Sequence, residues 1–223
     1  NKNLIPIPLG LSNNYSPKNL LPSDLDSTNS KFTDKEDKMY VNFNSNTNFS
    51  EREALYEKFK NFDWVVVQNS NLSKENYLTE LSKYKFSLSP WGNGVDTHRV
   101  WESLYVGTIP ITKYHHTFST SKDLPILFVN DYNEISENLL LSYHESFDQS
   151  KFNLKKLENN YWSDLINSHH ADNDSEKIEI KSSNIISYLY ILKYKYKQFV
   201  NRHIKKLKFY LKKLKKFISL VNR

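Results

Sequence analysis

The feature that most constrains the fold is an alternation of short apolar segments with amphipathic stretches of roughly ten residues. Each apolar segment is four to six residues long, the length of a buried strand. The predicted strands cover residues 39–44, 64–67, 86–89, 109–112 and 125–129. Strands that alternate with helices form βαβ units, which give a parallel sheet with helices on both faces. The sequence therefore predicts an α/β fold with right-handed crossovers.

Capping signals predict where the intervening helices begin. Ser50, with Glu53 three residues later, has the pattern of a capping box. We expect the apolar face of this first helix to consist of Ala54, Leu55, Phe59 and Phe62. Further helices are predicted over residues 73–83, over residues 97–106 with a stop at Gly107, and from Tyr132 onward.

Length and composition limit the domain organisation. A chain of 223 residues is long enough for one α/β domain with an appendage. We predict an irregular connector over residues 1–38, a ligand-binding domain over 39–168, a linker over 169–184 and a basic amphipathic helix over 185–223. The chain starts with Asn1, and we expect a further N-terminal part. The absence of cysteine excludes disulfides, thiolate nucleophiles and zinc–thiolate sites.

The positive charge is concentrated near the C-terminus. Residues 181–223 contain 13 Lys and Arg and no acidic residue, so residues 1–180 keep 18 basic against 25 acidic residues. Apolar side chains recur at alternating steps of four and three between Tyr196 and Val221, which predicts an amphipathic basic helix. Three interpretations remain open: binding to an anionic membrane surface, packing on the acidic body or on a missing domain, or coiled-coil pairing. Nucleic acid is not expected, because no recognised nucleic-acid module accompanies the charge.

The loop after the third predicted strand has the character of an anion site. Gly92 and Gly94 are two of only four glycines in the chain, and they predict a tight turn or a close backbone approach. Asp96 or Thr97 then caps a helix whose free amide groups and dipole attract an anion. The positive charge of Arg99 in the first turn is unfavourable at this end of the helix dipole unless an anion is bound. Its guanidinium can bind two phosphate oxygens.

Other polar residues near this loop are further candidates. Glu102, one turn on, can accept from ribose hydroxyls or pair with Arg99, and His98 can donate to a phosphate. Asn44 and Asn46 follow the first strand, at the edge of the sheet where such folds bind ligands. The alternative is an ordinary polar turn in both places, with a local Arg99–Glu102 pair worth a few tenths of a kcal/mol.

The segment Phe86-Ser-Leu-Ser-Pro-Trp-Gly-Asn-Gly-Val-Asp-Thr-His-Arg-Val-Trp-Glu-Ser-Leu-Tyr-Val-Gly-Thr-Ile-Pro-Ile111 resembles the donor-binding motif of exostosin-like glycosyltransferases of the GT-B fold. The resemblance implies a Rossmann-like domain, the C-terminal half of that fold. It also implies that the nucleotide diphosphate is surrounded by Asn93, Gly94, Asp96, Thr97, His98 and Arg99, and that Glu102 contacts the ribose or the sugar. Trp91 and Thr108 depart from the pattern, because the family often has Arg and Cys there.

By this resemblance, the chain binds a nucleotide-diphosphate sugar and transfers the sugar to a glycan or another hydroxyl acceptor. The family's acceptor-binding half, which typically supplies the general base, is not in this sequence, so no catalytic residue is assigned. No cofactor is implied, and no metal site is predicted, because the paired histidines 115–116 and 169–170 are adjacent and do not face one site. The alternative is a non-catalytic nucleotide- or polyanion-binding module, tethered to a membrane or partner by its basic tail.

Overall fold

The computed structural model describes residues 5–12, 19–25, 31–32, 34–68 and 70–171. The strands are β1 (Glu36–Val41), β2 (Val65–Val67), β3 (Tyr84–Leu88), β4 (Ile109–Lys113) and β5 (Leu127–Val129). The helices are α1 (Pro22–Leu25), α2 (Phe49–Phe59), α3 (Lys74–Lys83), α4 (His98–Tyr105), α5 (Glu137–Glu145) and α6 (Asn159–Ala171). The predicted α/β class is confirmed for this part of the chain, and each predicted strand has a counterpart.

The five strands form one parallel sheet in the order β2-β1-β3-β4-β5. The chain first moves from β1 to β2 at one edge and then returns to β3 on the other side of β1. This reversal makes β1 and β3 the topological switch point of a Rossmann-like sheet. In such folds a crevice opens beyond the carboxyl ends of the two strands and binds the ligand. We call this region the switch-point crevice.

Side chains alternate between the two faces of the sheet, and helices cover both faces. Met39 and Phe86 are register partners on one face, which packs against Leu55 of α2 and Tyr143 of α5. On the other face, Tyr40 packs in a smaller cluster that includes Leu78 and Leu81 of α3. Ser87, the register partner of Tyr40, is hydrogen bonded to Ser103 of α4 at 2.7 Å. Helices α2 and α4 therefore reach the switch-point crevice from opposite faces.

The predicted start and apolar face of the first helix are partly wrong. Helix α2 begins at Phe49, so Ser50 lies inside it and Asn48 takes the N-cap position. Leu55 and Phe59 are buried as expected, but Ala54 is exposed and Phe62 lies beyond the helix end with 44% of its surface exposed. Arg52 occupies a buried position instead, because the loop after β3 presents backbone carbonyl groups on that side.

The remaining helix signals are largely confirmed. Ser73 caps α3 by accepting from the amide of Asn76. Helix α4 ends at Tyr105 with Val106 as its C-cap, and the predicted stop residue Gly107 follows with a φ of 69°, which suits a glycine. The predicted start at Tyr132 is wrong. A 3-10 turn with a capping box occupies Tyr132–Glu134, and α5 follows the cap residue Ser136. Asp131 caps the 3-10 turn and Ser136 caps α5, so the two elements are separate.

The C-terminal predictions mostly fall where the structure gives no description. The predicted basic helix lies outside the described residues, and so does the predicted linker beyond Ala171, the last residue of α6. Among the helices that are described, none has both the length and the apolar character needed to span a membrane.

Lys35 connects the C-terminal ends of the two helices on the Tyr40 face. Its ammonium donates to the carbonyl of Ser82 in α3 and, at 3.0 Å, to the carbonyl of Val106, which caps α4. A cation is favourable where the carbonyl ends of helices converge. Burial nevertheless lowers the pKa of Lys35 to about 8.

We expect the contribution of Lys35 to stability to rise between about pH 8 and the ordinary pKa of a lysine side chain. Over that interval the unfolded chain binds the proton and the folded protein releases it, so the free energy of unfolding increases with pH. Urea unfolding of the wild type and of Lys35→Met across this range provides the comparison. A constant difference between the two proteins contradicts the prediction.

Candidate functional site

The switch-point crevice is bordered by two polar segments at the carboxyl ends of β1 and β3. A short 3-10 turn (Ser45–Thr47) follows β1, and a loop over residues 89–97 connects β3 to α4. Asn48 joins the two segments by donating to the carbonyl of Trp91 at 3.4 Å. The predicted residues after the first and third strands are thus brought to one edge of the sheet.

Arg52 of α2 lies beneath both segments and is only 6% exposed. Its guanidinium donates at 2.9 Å to three backbone carbonyls, those of Asn44, Pro90 and Trp91. Its guanidinium carbon also lies 5.4 Å from the centre of the Phe43 ring. Burial and the nearby positive charge of Arg99 lower the pKa of Arg52 to about 10. Arg52 is therefore a buried cation whose partners are main-chain oxygens.

The approach of Arg52 explains Gly92. A Cβ atom at this position would lie 2.9 Å from Nη2 of Arg52, closer than ordinary side-chain contacts allow. The amide of Gly92 donates to the carbonyl of Gly94 at 3.0 Å and closes a tight turn. Neither glycine has a positive φ angle, whereas Gly10 and Gly107 do. Close approach rather than backbone conformation requires glycine at position 92.

Arg99 and Glu102 are joined through the hydroxyl of Tyr77. Arg99 donates to this oxygen at 2.9 Å, and the hydroxyl in turn donates to Glu102 at 2.8 Å. The guanidinium of Arg99 also lies over the Tyr77 ring, 5.1 Å from its centre. Burial raises the pKa of Tyr77 well above its ordinary value. Tyr77 therefore stays protonated and fixes the position of Arg99 at the start of α4.

The start of α4 has no side-chain cap. Thr97 occupies the N-cap position, but its hydroxyl accepts from no amide in the first turn and is buried without a hydrogen-bond partner. The first amides of a helix need acceptors from outside the helix. An anion at this end would supply them.

Asp96 and His98 contact the N-terminal strap, the name we give to residues 5–12. Asp96 accepts from the amide of Leu9 at 2.9 Å and from the indole of Trp101 at 2.8 Å. Burial raises the pKa of Asp96, although these hydrogen bonds oppose the shift. His98 is hydrogen bonded through Nδ1 to the carbonyl of Gly10 at 2.8 Å. Both side chains thus face the strap rather than the loop tip.

Trp91 lies within a group of aromatic and charged side chains from neighbouring loops. The Lys113 ammonium lies 4.5 Å from the centre of the Trp91 ring and is paired with Glu51 of α2. The Tyr132 hydroxyl accepts from the amide of Trp91 at 3.2 Å. Burial raises the pKa of Tyr132 to about 12. An aromatic platform therefore stands at this position, where the resemblance suggests an arginine.

The other predicted residues lie at the exposed rim of the crevice. Asn44 accepts from the amide of Asn46 at 2.9 Å, and both side chains are exposed. Asn93 and Gly94 form the exposed tip of the loop after β3. Within the described part of the chain, no group of three or more potential metal ligands is present.

Arg52 and Tyr77 are not among the site residues predicted from the sequence. A signal for Arg52 exists: it precedes Leu55 and Phe59 by three and seven residues, which places it on the buried face of α2. In the sequence, Tyr77 has the pattern of an ordinary core aromatic residue. Only the structure shows that its hydroxyl lies between Arg99 and Glu102.

No model of a known protein family matches the sequence, and no curated protein is significantly similar to it.

We expect Gly92→Ala to lower the free energy of unfolding by about 1–3 kcal/mol, because the new methyl group overpacks against a guanidinium held by three carbonyls. The matched control is Gly94→Ala, whose Cβ atom meets only the carbonyl of Asp96 at an ordinary 3.6 Å. Urea unfolding measures both variants. Equal effects of the two substitutions contradict the proposed role of Arg52 in requiring glycine.

Proposed function

We propose that this chain is the donor-binding domain of a glycosyltransferase. It holds a nucleotide-diphosphate sugar while the sugar passes to a hydroxyl group of a glycan or another acceptor. The observation that carries the proposal is a pair of guanidinium groups, Arg52 and Arg99, at the switch-point crevice. Neither forms an ion pair with a described residue, and the positive charge of one lowers the pKa of the other.

A diphosphate fits this electrostatic environment. Arg99 is close enough for its positive charge to lower the pKa of Arg52, so the two groups repel each other, and an anion bound beside Arg99 relieves that repulsion. The uncapped start of α4 offers backbone amides at the same place, and its dipole adds to the attraction. Arg99 would bind phosphate oxygens directly, since its guanidinium donates through Nη1 to Tyr77 and carries further N–H groups that can bind an anion. Three features of one crevice thus favour the same kind of ligand.

Further contacts extend the proposal to the rest of the donor. Asn93 and Gly94 lie at the exposed loop tip, where they would contact the phosphates from above. Asn44 and Asn46 offer amide groups on the β1 side. Glu102 would accept from a ribose or sugar hydroxyl if the Tyr77 hydroxyl gives up its present bond. Asp96 and His98 would contribute mainly by holding the loop against the N-terminal strap.

A non-catalytic binding module is the second candidate, and one observation favours it. Three carboxylates near the crevice already have protein partners: Glu51 is paired with Lys113, Asp96 accepts from Leu9 and Trp101, and Glu102 accepts from Tyr77. A general base needs a free acceptor near the attacking hydroxyl. Because all three carboxylates already have protein partners, these contacts support a role in ligand binding better than a role in proton transfer.

We expect the chain to bind at least one of UDP, GDP and ADP or their sugar conjugates. A CMP-linked sugar, which has a single phosphate, should bind more weakly. Arg99→Ala should weaken binding of the diphosphate ligand about 10- to 100-fold, because it removes charge-assisted hydrogen bonds to phosphate. Titration calorimetry measures these affinities.

The control is Lys38→Ala, which removes the same charge from β1 at a side chain paired with Glu36. Its affinity should match that of the wild type. The proposal fails if no diphosphate ligand binds, or if Arg99→Ala binds as tightly as the wild type.

A sugar-transfer assay separates the two candidate functions. For a glycosyltransferase, we expect transfer of the sugar to a hydroxyl acceptor. Glu102→Ala should reduce this transfer, because Glu102 would contact the ribose or the sugar and helps to orient Arg99 through the Tyr77 hydroxyl. Product formation is followed with radiolabelled donor and a glycan acceptor panel. Tight donor binding without transfer to any acceptor would instead identify a binding module.

A further inference from the structure

Arg52 is a buried charge without an acidic partner among the described residues. Burying an isolated cation is costly unless its donors are satisfied. Here the compensation comes from three charge-assisted hydrogen bonds to carbonyl oxygens and from the Phe43 ring. An apolar side chain would fill the same position on α2 without that cost, but it would leave three carbonyls without their donor. The arrangement therefore serves the backbone that carries those carbonyls.

The three carbonyls belong to the two walls of the switch-point crevice. One is that of Asn44, after β1, and the others are those of Pro90 and Trp91, after β3. One planar guanidinium thus fixes the separation of two loops that are far apart in sequence. A lysine at position 52 keeps the charge but has one nitrogen instead of three, so it cannot reproduce this fork.

The peptide units on either side of Trp91 are fixed at both ends. Their carbonyls accept from Arg52, and their amide groups point the other way because the peptide bonds are trans. The amide of Trp91 donates to the Tyr132 hydroxyl, and that of Gly92 donates to the carbonyl of Gly94. The backbone entering the loop tip consequently has little rotational freedom. Binding to a loop that is already ordered avoids part of the entropy cost of association.

We propose that Arg52 is a positioning residue for the diphosphate site: it holds the loops after β1 and β3 at the spacing that the anion requires, without contacting the anion. This inference rests on the proposed function, because the ligand is the diphosphate proposed there. Arg99 contacts the phosphates, whereas Arg52 acts through the main chain of residues 44 and 90–91. Gly92 belongs to the same arrangement, since any side chain there displaces the guanidinium.

The test compares Arg52→Lys with the wild type, using inorganic pyrophosphate and UDP, GDP and ADP as probes at a temperature where both proteins are folded. We expect a loss of affinity of at least tenfold, although the charge is kept. Gly92→Ala, which retains Arg52 but displaces it, should also weaken binding and gives a second variant if Arg52→Lys does not fold. The dependence of the affinity on salt should stay as in the wild type, because the ionic contacts to the anion remain.

The control for general destabilisation is Leu140→Ala, which removes a core side chain of α5. It should lower stability through lost packing and leave the affinity unchanged. The inference is overturned if Arg52→Lys binds the probes with wild-type affinity, or if Leu140→Ala loses as much affinity as Arg52→Lys.

Hydrogen exchange separates failure of this inference from failure of the proposed function. Arg52→Lys should accelerate amide exchange over residues 44–48 and 90–96, and Leu140→Ala should not. If the wild type binds none of the probes, the proposed function fails, and faster exchange in both loops then supports only the ordering role of Arg52. If the wild type binds and exchange in both loops is unchanged in Arg52→Lys, the positioning role is refuted while the proposed function stands.

Discussion

The burial of the Arg52 guanidinium beneath two loops is the interaction on which the candidate site depends. Its three hydrogen bonds join main-chain oxygens that follow β1 and β3, the two strands at the switch point. A buried charge with only carbonyl partners would be an expensive way to stabilise a helix. A role in fixing the shape of the crevice explains both why an arginine is buried at position 52 and why position 92 beside it is a glycine.

In the proposed function, the second arginine gives that crevice its preference for an anion. Arg99 stands at an uncapped helix start and is oriented by the Tyr77 hydroxyl, so its position is set before any ligand arrives. Preorganised positive groups in a partly desolvated site interact with phosphates more strongly than the same groups in water. We therefore propose two different roles: Arg52 fixes the walls of the crevice, and Arg99 contacts the anion.

The fold could be predicted from sequence to a large extent because strand length, apolar runs and caps such as Ser73 are local signals. The position of the switch-point crevice followed from the parallel topology, and Arg99 lies in the first turn of α4, as the sequence predicted. The roles of Arg52, Asp96 and His98 were not predictable, because their partners lie 38 to 88 residues away, apart from Asn44 and Trp101. Only the folded chain shows that Asp96 and His98, two of the six residues predicted to surround the diphosphate, are hydrogen bonded to the N-terminal strap.

A crystal structure of the chain with a bound nucleoside diphosphate would show directly whether the two arginines have these different roles. We expect the diphosphate to lie in the switch-point crevice, with phosphate oxygens within hydrogen-bond distance of Arg99 and of backbone amides at the start of α4. We also expect Arg52 to keep its three carbonyl partners and not to touch the ligand. A diphosphate bound elsewhere, or an Arg52 that leaves the carbonyls to bind phosphate, would contradict these expectations.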